Sequence, residues 1–309
     1  MQQSDAEALV RETLPDGHSE WAAANLRPCV RVKTLPVSSQ PGRRSWLGGS
    51  PELPMASSWP VRGNGRPLVF LAQIDFAEVA AVSRLDPLPD SGTAWFFYDD
   101  LGDDGYGGPW GFDPKDRDGF RVIYDASDAP RSTATMPDVD QHLLEARGVT
   151  STEGLVFARR GVVFEAGWTL PLSHDFPGAK ELEADAFDTI LSGIEDFRCE
   201  ASGGEKGSAK HQMLGVPHQV QGDMPSECEL VTHGIYIGDS SGYQSPESRR
   251  LLDGPGLSEW RLLLQLSTDD GESGPGWMWG DDGFLYFWVR EKDLIDRTFD
   301  RAWCILQCY

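Results

Sequence analysis

No apolar run approaches the roughly 18 residues that a membrane-spanning helix requires. The opening Met1–Leu14 also lacks the basic-then-apolar order of a signal peptide. Both absences point to a cytoplasmic protein with no membrane partner. Cysteine is sparse: Cys29, Cys199, Cys228, Cys304 and Cys308 are odd in number and scattered, which argues against a disulfide framework and for reduced, mostly structural thiols. On a strand, Cys304 and Cys308 would share a face about 13 Å apart, too far for a bridge. Positive charge is also short, with 27 Lys+Arg against 49 Asp+Glu and a net charge of −22. A field of that sign repels phosphate backbones, so nucleic acid is not an expected partner, whereas a basic protein or a cation is attracted. The common hydrolase, metalloprotease and nucleotide-binding signatures are missing as well: there is no G-x-S-x-G, no H-E-x-x-H, no P-loop, and no G-x-G-x-x-G in a strand–helix context. The chain leans away from an enzyme, and no cofactor is implied.

Apolar and turn-forming residues are plentiful. In 309 residues, 39% are hydrophobic, with 11 Trp and 14 Phe, enough to bury a substantial core. The 34 Gly and 21 Pro follow no period, so they read as turns between short elements. The expected class is α+β, mainly antiparallel β with few helices.

Residues 4–13 read as a short helix opened by a Ser4–Glu7 capping box and ended by Pro15 and Gly17, inside an N-terminal extension spanning 1–30. Alternating or continuous apolar runs predict strands at Pro28–Val37, Arg66–Phe76, Thr93–Asp100, Phe120–Asp125 and within Gly154–Leu172. Lys180–Glu200 carries apolar residues every three to four positions and predicts the best helix. Residues 201–210 are rich in Gly, Ser and Lys and divide a single domain, 31–309, into possible halves 31–200 and 211–309. Trp260–Tyr309 alternates apolar runs with an acidic, Gly-rich loop. Gly102–Gly119 reads as a long loop.

The second half restates the first. Leu47-Gly48-Gly49-Ser50-Pro51 matches Leu214-Gly215-Val216-Pro217, Leu68–Ile74 matches Leu262–Leu266, and Asp90–Tyr98 matches Asp282–Trp288. Each copy holds one Gln, Gln73 or Gln265, in an otherwise apolar strand. A buried amide must be hydrogen-bonded, so these two are structural residues joining neighbouring backbone.

LVFLAQIDF, LPDSGTAWFFYD, LGVPHQVQGD, LLLQLSTDD, MWGDDGFLYFWVREKDL and ILQCY, taken in order from Trp46 to Tyr309, resemble the YwqG-like bacterial family, a domain of unknown function. The resemblance implies one compact, mainly β fold of two related halves, and it brings no catalytic residues. It implies a binding role only through association with toxin–immunity gene neighbourhoods. The Gly102–Gly119 insert departs from the family's usual pattern.

Two functional readings follow. The leading one is a non-enzymatic binding protein, immunity-type by association, whose acidic, aromatic-lined surface takes a basic protein. Trp110, Asp269, Asp270, Trp277, Trp279, Asp281 and Asp282 are its candidate surface residues, because indole rings beside carboxylates recognise cations. A pocket collecting residues from both halves is expected near Asp269, Asp270 and Trp279. The alternative is a metal-dependent enzyme that uses the acidic clusters at Asp99, Asp100, Asp103, Asp104 and at Asp269, Asp270, Asp281, Asp282, or the His211, His218, Cys228, His233 region as metal ligands. The spacing fits no zinc or calcium motif. The bland reading is solvated turn carboxylates and dispersed histidines with no metal.

Overall fold

A computed structural model of the chain describes residues 1–35, 42, 44–102, 107–127, 129–172, 175–179, 184–201 and 210–309. The elements run α1 (Gln3–Thr13), α2 (Asp16–Ala24), β1 (Arg27–Thr34), β2 (Trp46–Leu47), β3 (Glu52–Pro54), β4 (Val69–Asp75), α3 (Phe76–Ala80), β5 (Thr93–Tyr98) and β6 (Phe120–Asp125). They continue with β7 (Arg131–Thr133), α4 (Gln141–Ala146), β8 (Arg160–Thr169), α5 (Ala184–Ala201), β9 (Gln212–Met213), α6 (Met224–Thr232) and α7 (Pro246–Leu252). The last four are β10 (Trp260–Ser267), β11 (Phe284–Arg290), α8 (Glu291–Ile295) and β12 (Trp303–Gln307).

Among the described residues ten strands form one sheet in the order β12-β11-β10-β9-β1-β8-β2-β4-β5-β6, and every pairing in it is antiparallel. The class is α+β, as the turn-rich composition implies. The sheet has two arms. β2-β4-β5-β6 forms one, β9-β10-β11-β12 the other, and β1 and β8 pair between them from Arg27↔Thr169 to Thr34↔Val162. β1 precedes the first arm in sequence but pairs with β9 of the second, whereas β8 precedes the second arm and pairs with β2 of the first. The inner faces of the arms pack together. Phe96 of β5 meets Phe287 of β11 edge to face at 5.2 Å, and Phe120 of β6 lies 5.1 Å from Trp303 of β12. Alternation decides which side chains face inward: Ala94, Phe96 and Tyr98 join the large central cluster, while Trp95 and Phe97 enter a smaller one on the outer face.

The two arms share local geometry. Gln73 accepts from the Glu52 N–H at 2.9 Å and donates to the Arg44 carbonyl at 3.0 Å; Gln265 accepts from the His218 N–H at 2.9 Å and donates to the Lys210 carbonyl at 2.6 Å. The β4–β5 register slips between Phe70 and Ala72, and the β10–β11 register between Leu262 and Leu264. Gly48 and Gly49 follow β2 with φ of 62° and 68°, while Leu214 and Gly215 follow β9 with 55° and 71°. The registers therefore place Gly48 opposite Leu214 in the correspondence, one residue away from the sequence match. A Cβ at Gly48 would stand 2.4 Å from the Ala158 carbonyl oxygen, which explains glycine there.

Several boundaries shift. α1 begins after Gln2 instead of at a Ser4 cap, and the Gln2 N–H donates to the Asp5 carboxylate. α1 ends at Thr13, before Pro15 as the sequence implies, and Pro15 then stands at the N-cap of a second helix, α2, where a missing N–H costs nothing; Gly17 lies inside that helix. α1 and α2 build a separate apolar cluster with α5 through Ala6, Val10, Ile190, Ile194 and Phe197. β1, Arg27–Thr34, begins one residue before the strand expected at Pro28–Val37, of which 36 and 37 lie outside the described residues. The predicted 180–200 helix is described from Ala184, and 180–183 lie outside the described residues, as do 202–209 of the proposed connection and Asp103, Asp104 and Tyr106 of the Gly/Asp loop.

The paired glutamines make a direct stability comparison. Gln265→Leu leaves a buried N–H and a carbonyl without their partner and should cost about 2–4 kcal/mol in urea unfolding; Gln73→Leu should cost a similar amount. A cost below about 1 kcal/mol in either would mean that the amide bonds are not what holds the strands to the preceding turns.

Candidate functional site

The His211–His233 region does not gather into one site. His211 is buried and bonds to the Ser267 N–H at 3.1 Å and to Asp269 at 3.3 Å. His218 stacks on Phe284 at 4.9 Å and meets the Tyr309 hydroxyl at 3.0 Å, and its Nδ1 has no hydrogen-bond partner among the described residues. Burial first, then Arg198 and Lys210, press its pKa down to about 2, so the ring stays neutral. Cys228 is buried in α6, where burial first and then Glu227 push its thiol far up. His233 caps α6 and bonds to the Glu229 carbonyl at 2.7 Å. Among the described residues no group of three or more His, Cys, Asp or Glu side chains is placed to hold a metal ion.

The acidic clusters divide in two. Asp270, Asp281 and Asp282 are exposed turn residues, while Asp269 closes its own loop by bonding backbone to backbone with Trp277 and Gly276. Asp99 and Asp100, read from sequence as solvated, are buried. Asp99 is 0% exposed and pairs with Arg62 at 2.7 Å and Arg66 at 2.6 Å; Asp100 pairs with Arg147. Burial first, and the charge of Asp99, raise Asp100 to about 6 against the opposing pull of Arg147. The correction has a physical cause: these carboxylates follow β5 into the interior, where a charge persists only when paired.

Trp277 and Trp279 are corrected in the same way. Both are 1% exposed and pack in the central cluster, 5.3 Å from each other and against Phe157 and Tyr98. They present no ring to a partner. Trp110 differs, at 46% exposed.

Trp110 lines a cavity of about 520 Å³, together with Arg62, Asp113, Asp116, Tyr236 and Gly238. Both halves contribute, as expected of a binding pocket, but the cavity lies at the Gly102–Gly119 loop and not near Asp269 and Trp279. Three features position its walls. Arg62 spends Nη1 on Asp99 and both Nε and Nη2 on Asp118, which fixes the turn before β4. Asp113 caps the 3₁₀ turn Pro114–Asp118, and Asp116 at its third position accepts the N–H groups of Gly111 at 2.9 Å and Asp113 at 3.3 Å. The loop is also stitched to the second arm: Trp110 and Phe112 carbonyls accept from the N–H groups of Leu306 and Ile237, and the Gly111 carbonyl from the Trp303 indole. Gly111 has φ of 84°, and a Cβ there would lie 2.1 Å from the Cys304 carbonyl oxygen, so the loop reaches β12 only as glycine.

The pocket has an acidic balance. Arg62 is the one cation in its lining among the described residues, and burial works against that charge, yet its bonds to Asp99 and Asp118 hold the guanidinium above its ordinary pKa. Asp113 and Asp116 have no ion-pair partner among the described residues. Burial raises the Asp116 pKa, its two N–H donors oppose the rise, and the Asp113 charge adds to it. Half-exposed Tyr236, at 50%, supplies a second aromatic wall that sequence reading passed over, because nothing in Gly234–Gly238 marks it as a site.

Glu227 of α6 offers a pH test of the surrounding core. Burial raises it to about 7, partly offset by its bond to Gln307. With its folded pKa above the unfolded value, its stability contribution is complete below about pH 4.5 and is lost as pH rises towards 7, by roughly 3 kcal/mol. Glu227→Gln should match the native chain in urea at pH 4.5 and exceed it by about that amount at pH 8; equal stabilities at pH 8 would show that the carboxyl ionises freely.

No helix among the described residues is long and apolar enough to cross a membrane. A comparison with curated proteins finds no match. The family described as Domain of unknown function (DUF1963) matches residues 45–308, which contain the cavity's lining from Arg62 to Gly238 and agree with the YwqG-like resemblance of the motifs. With most of its length matched, including the strands of both arms from β2 to β12, the chain belongs to the DUF1963 family.

Proposed function

We propose that the protein is a binding protein that takes a cationic group of a basic partner into the Trp110–Tyr236 pocket. One observation carries the reading: among the described residues, two half-exposed aromatics and two carboxylates without ion-pair partners line one cavity, and its lining cation Arg62 is already committed to Asp99 and Asp118. Aromatic faces attract cations by about 0.5–2 kcal/mol, and carboxylates in a partly enclosed site add to that. The net charge of −22 favours encounter with a basic surface. Occupation of a basic bacterial partner in this way is immunity-type behaviour, which the family resemblance suggests by association.

The common hydrogen bonds of Gln73 and Gln265, the shared register slips and the paired left-handed turns support a further reading of the fold. We infer that the two arms derive from duplication of one unit whose first strands, β1 and β8, have exchanged places. Markedly unequal costs of the two Gln→Leu substitutions would remove its main support.

The binding reading is tested by titrating octalysine and octa-arginine into the native chain and into Trp110→Ala at low and high salt. The native chain should bind at low salt, lose at least about tenfold in affinity at high salt, and lose about 1–2 kcal/mol on Trp110→Ala. Equal binding by Trp110→Ala would assign the attraction to overall charge and sink the pocket reading.

A further inference from the structure

We infer that the occupant of the pocket is the guanidinium of an arginine side chain carried by a partner protein, an inference that rests on the cation-binding reading above.

The chain itself supplies the template. Arg290 stands 4.6 Å from the Trp260 ring centroid and bridges two carboxylates, Glu229 at 2.7 Å and Glu259 at 3.2 Å. Arg131 stands 5.0 Å over Trp95, with Asp125 at 3.9 Å. In each place an indole and one or more carboxylates surround a guanidinium. The pocket has the same kinds of wall, Trp110 with Asp113 and Asp116, and no arginine of the described chain between them. Arg62 does not fill that role, because all three of its nitrogens donate to Asp99 and Asp118.

Chemistry favours a guanidinium over an ammonium here. Asp116 uses Oδ2 for the Gly111 and Asp113 N–H groups, and its carboxylate takes no other hydrogen bond from the described residues. Asp113 has Oδ1 on the Lys115 N–H. Acceptors on two separate carboxylates suit a flat fork of five N–H donors better than a compact ammonium, which is also more strongly hydrated. Trp110 and Tyr236 offer faces on which that plane can stack. A cavity of about 520 Å³ exceeds a single methylguanidinium and admits a whole arginine side chain with its flanking backbone.

The test is calorimetric titration of the full chain with Ac-Gly-Ser-Arg-Ser-Gly-amide and its lysine counterpart at low salt. The arginine peptide should bind about tenfold more tightly than the lysine peptide, and that preference should disappear in Asp113→Asn and in Trp110→Ala, with thermal midpoints reporting that both variants fold. Equal or tighter binding of the lysine peptide would overturn the guanidinium assignment and leave the cation reading standing. No binding of either peptide would overturn both. Retention of the arginine preference in Asp113→Asn would move the recognition elsewhere on the protein and defeat the assignment.

Discussion

The β1–β8 pairing is the constraint on which the rest depends. Eight residue pairs join these strands, and each strand borders the arm that its own sequence neighbours do not build. The arms are thereby held in one sheet and can curl until Phe96 meets Phe287. A central ladder of this kind is non-local, since Arg27 and Thr169 are far apart in sequence, so its closure entropy is met only by the apolar burial that both arms supply together. The pocket inherits the arrangement: Arg62, Trp110 and Asp116 come from one half and Tyr236 from the other.

Buried charge is the second organising element. Asp99 is removed from water, and the two guanidiniums of Arg62 and Arg66 make that tolerable. The same Arg62 reaches Asp118 at the end of the 3₁₀ turn, so a single cation fixes the turn before β4, the end of β5 and the far end of the Gly/Asp loop. An acidic chain has few cations to spend, and this one places two of its 27 Lys+Arg on a single carboxylate.

Strand content was legible because period-two alternation and apolar runs are strong local signals: Phe120–Asp125 is a strand with the boundaries its pattern implies, and Trp260–Ser267 and Phe284–Arg290 are the two apolar runs of the C-terminal stretch. The buried, satisfied glutamines were legible for the same reason, since an amide among Leu and Ile has few alternatives. What local pattern does not carry is the third dimension. Trp110 and Trp277 both sit beside Gly and acidic residues, yet one is half exposed and the other enclosed, because Trp277 lies against Phe157 and Trp279 while Trp110 rides over an edge strand. Asp99 and Asp270 differ likewise, and no neighbour in sequence announces Arg62 as the partner of Asp99. Tyr236 becomes part of a pocket only through the path of the chain beyond α6.

The backbone bond between the Trp110 carbonyl and the Leu306 N–H has a consequence for the protein's colloidal behaviour. β12 is an edge strand of nearly continuous apolar residues, Trp303 to Leu306, and such an edge is a ready template for strand addition by another chain. The Trp110–Phe112 segment occupies part of that template with its own main chain. The residues that wall the pocket are thus also a guard against cross-β association, and any change that lifts the loop from β12 exposes an aggregation-prone edge at the same moment that it dismantles the pocket.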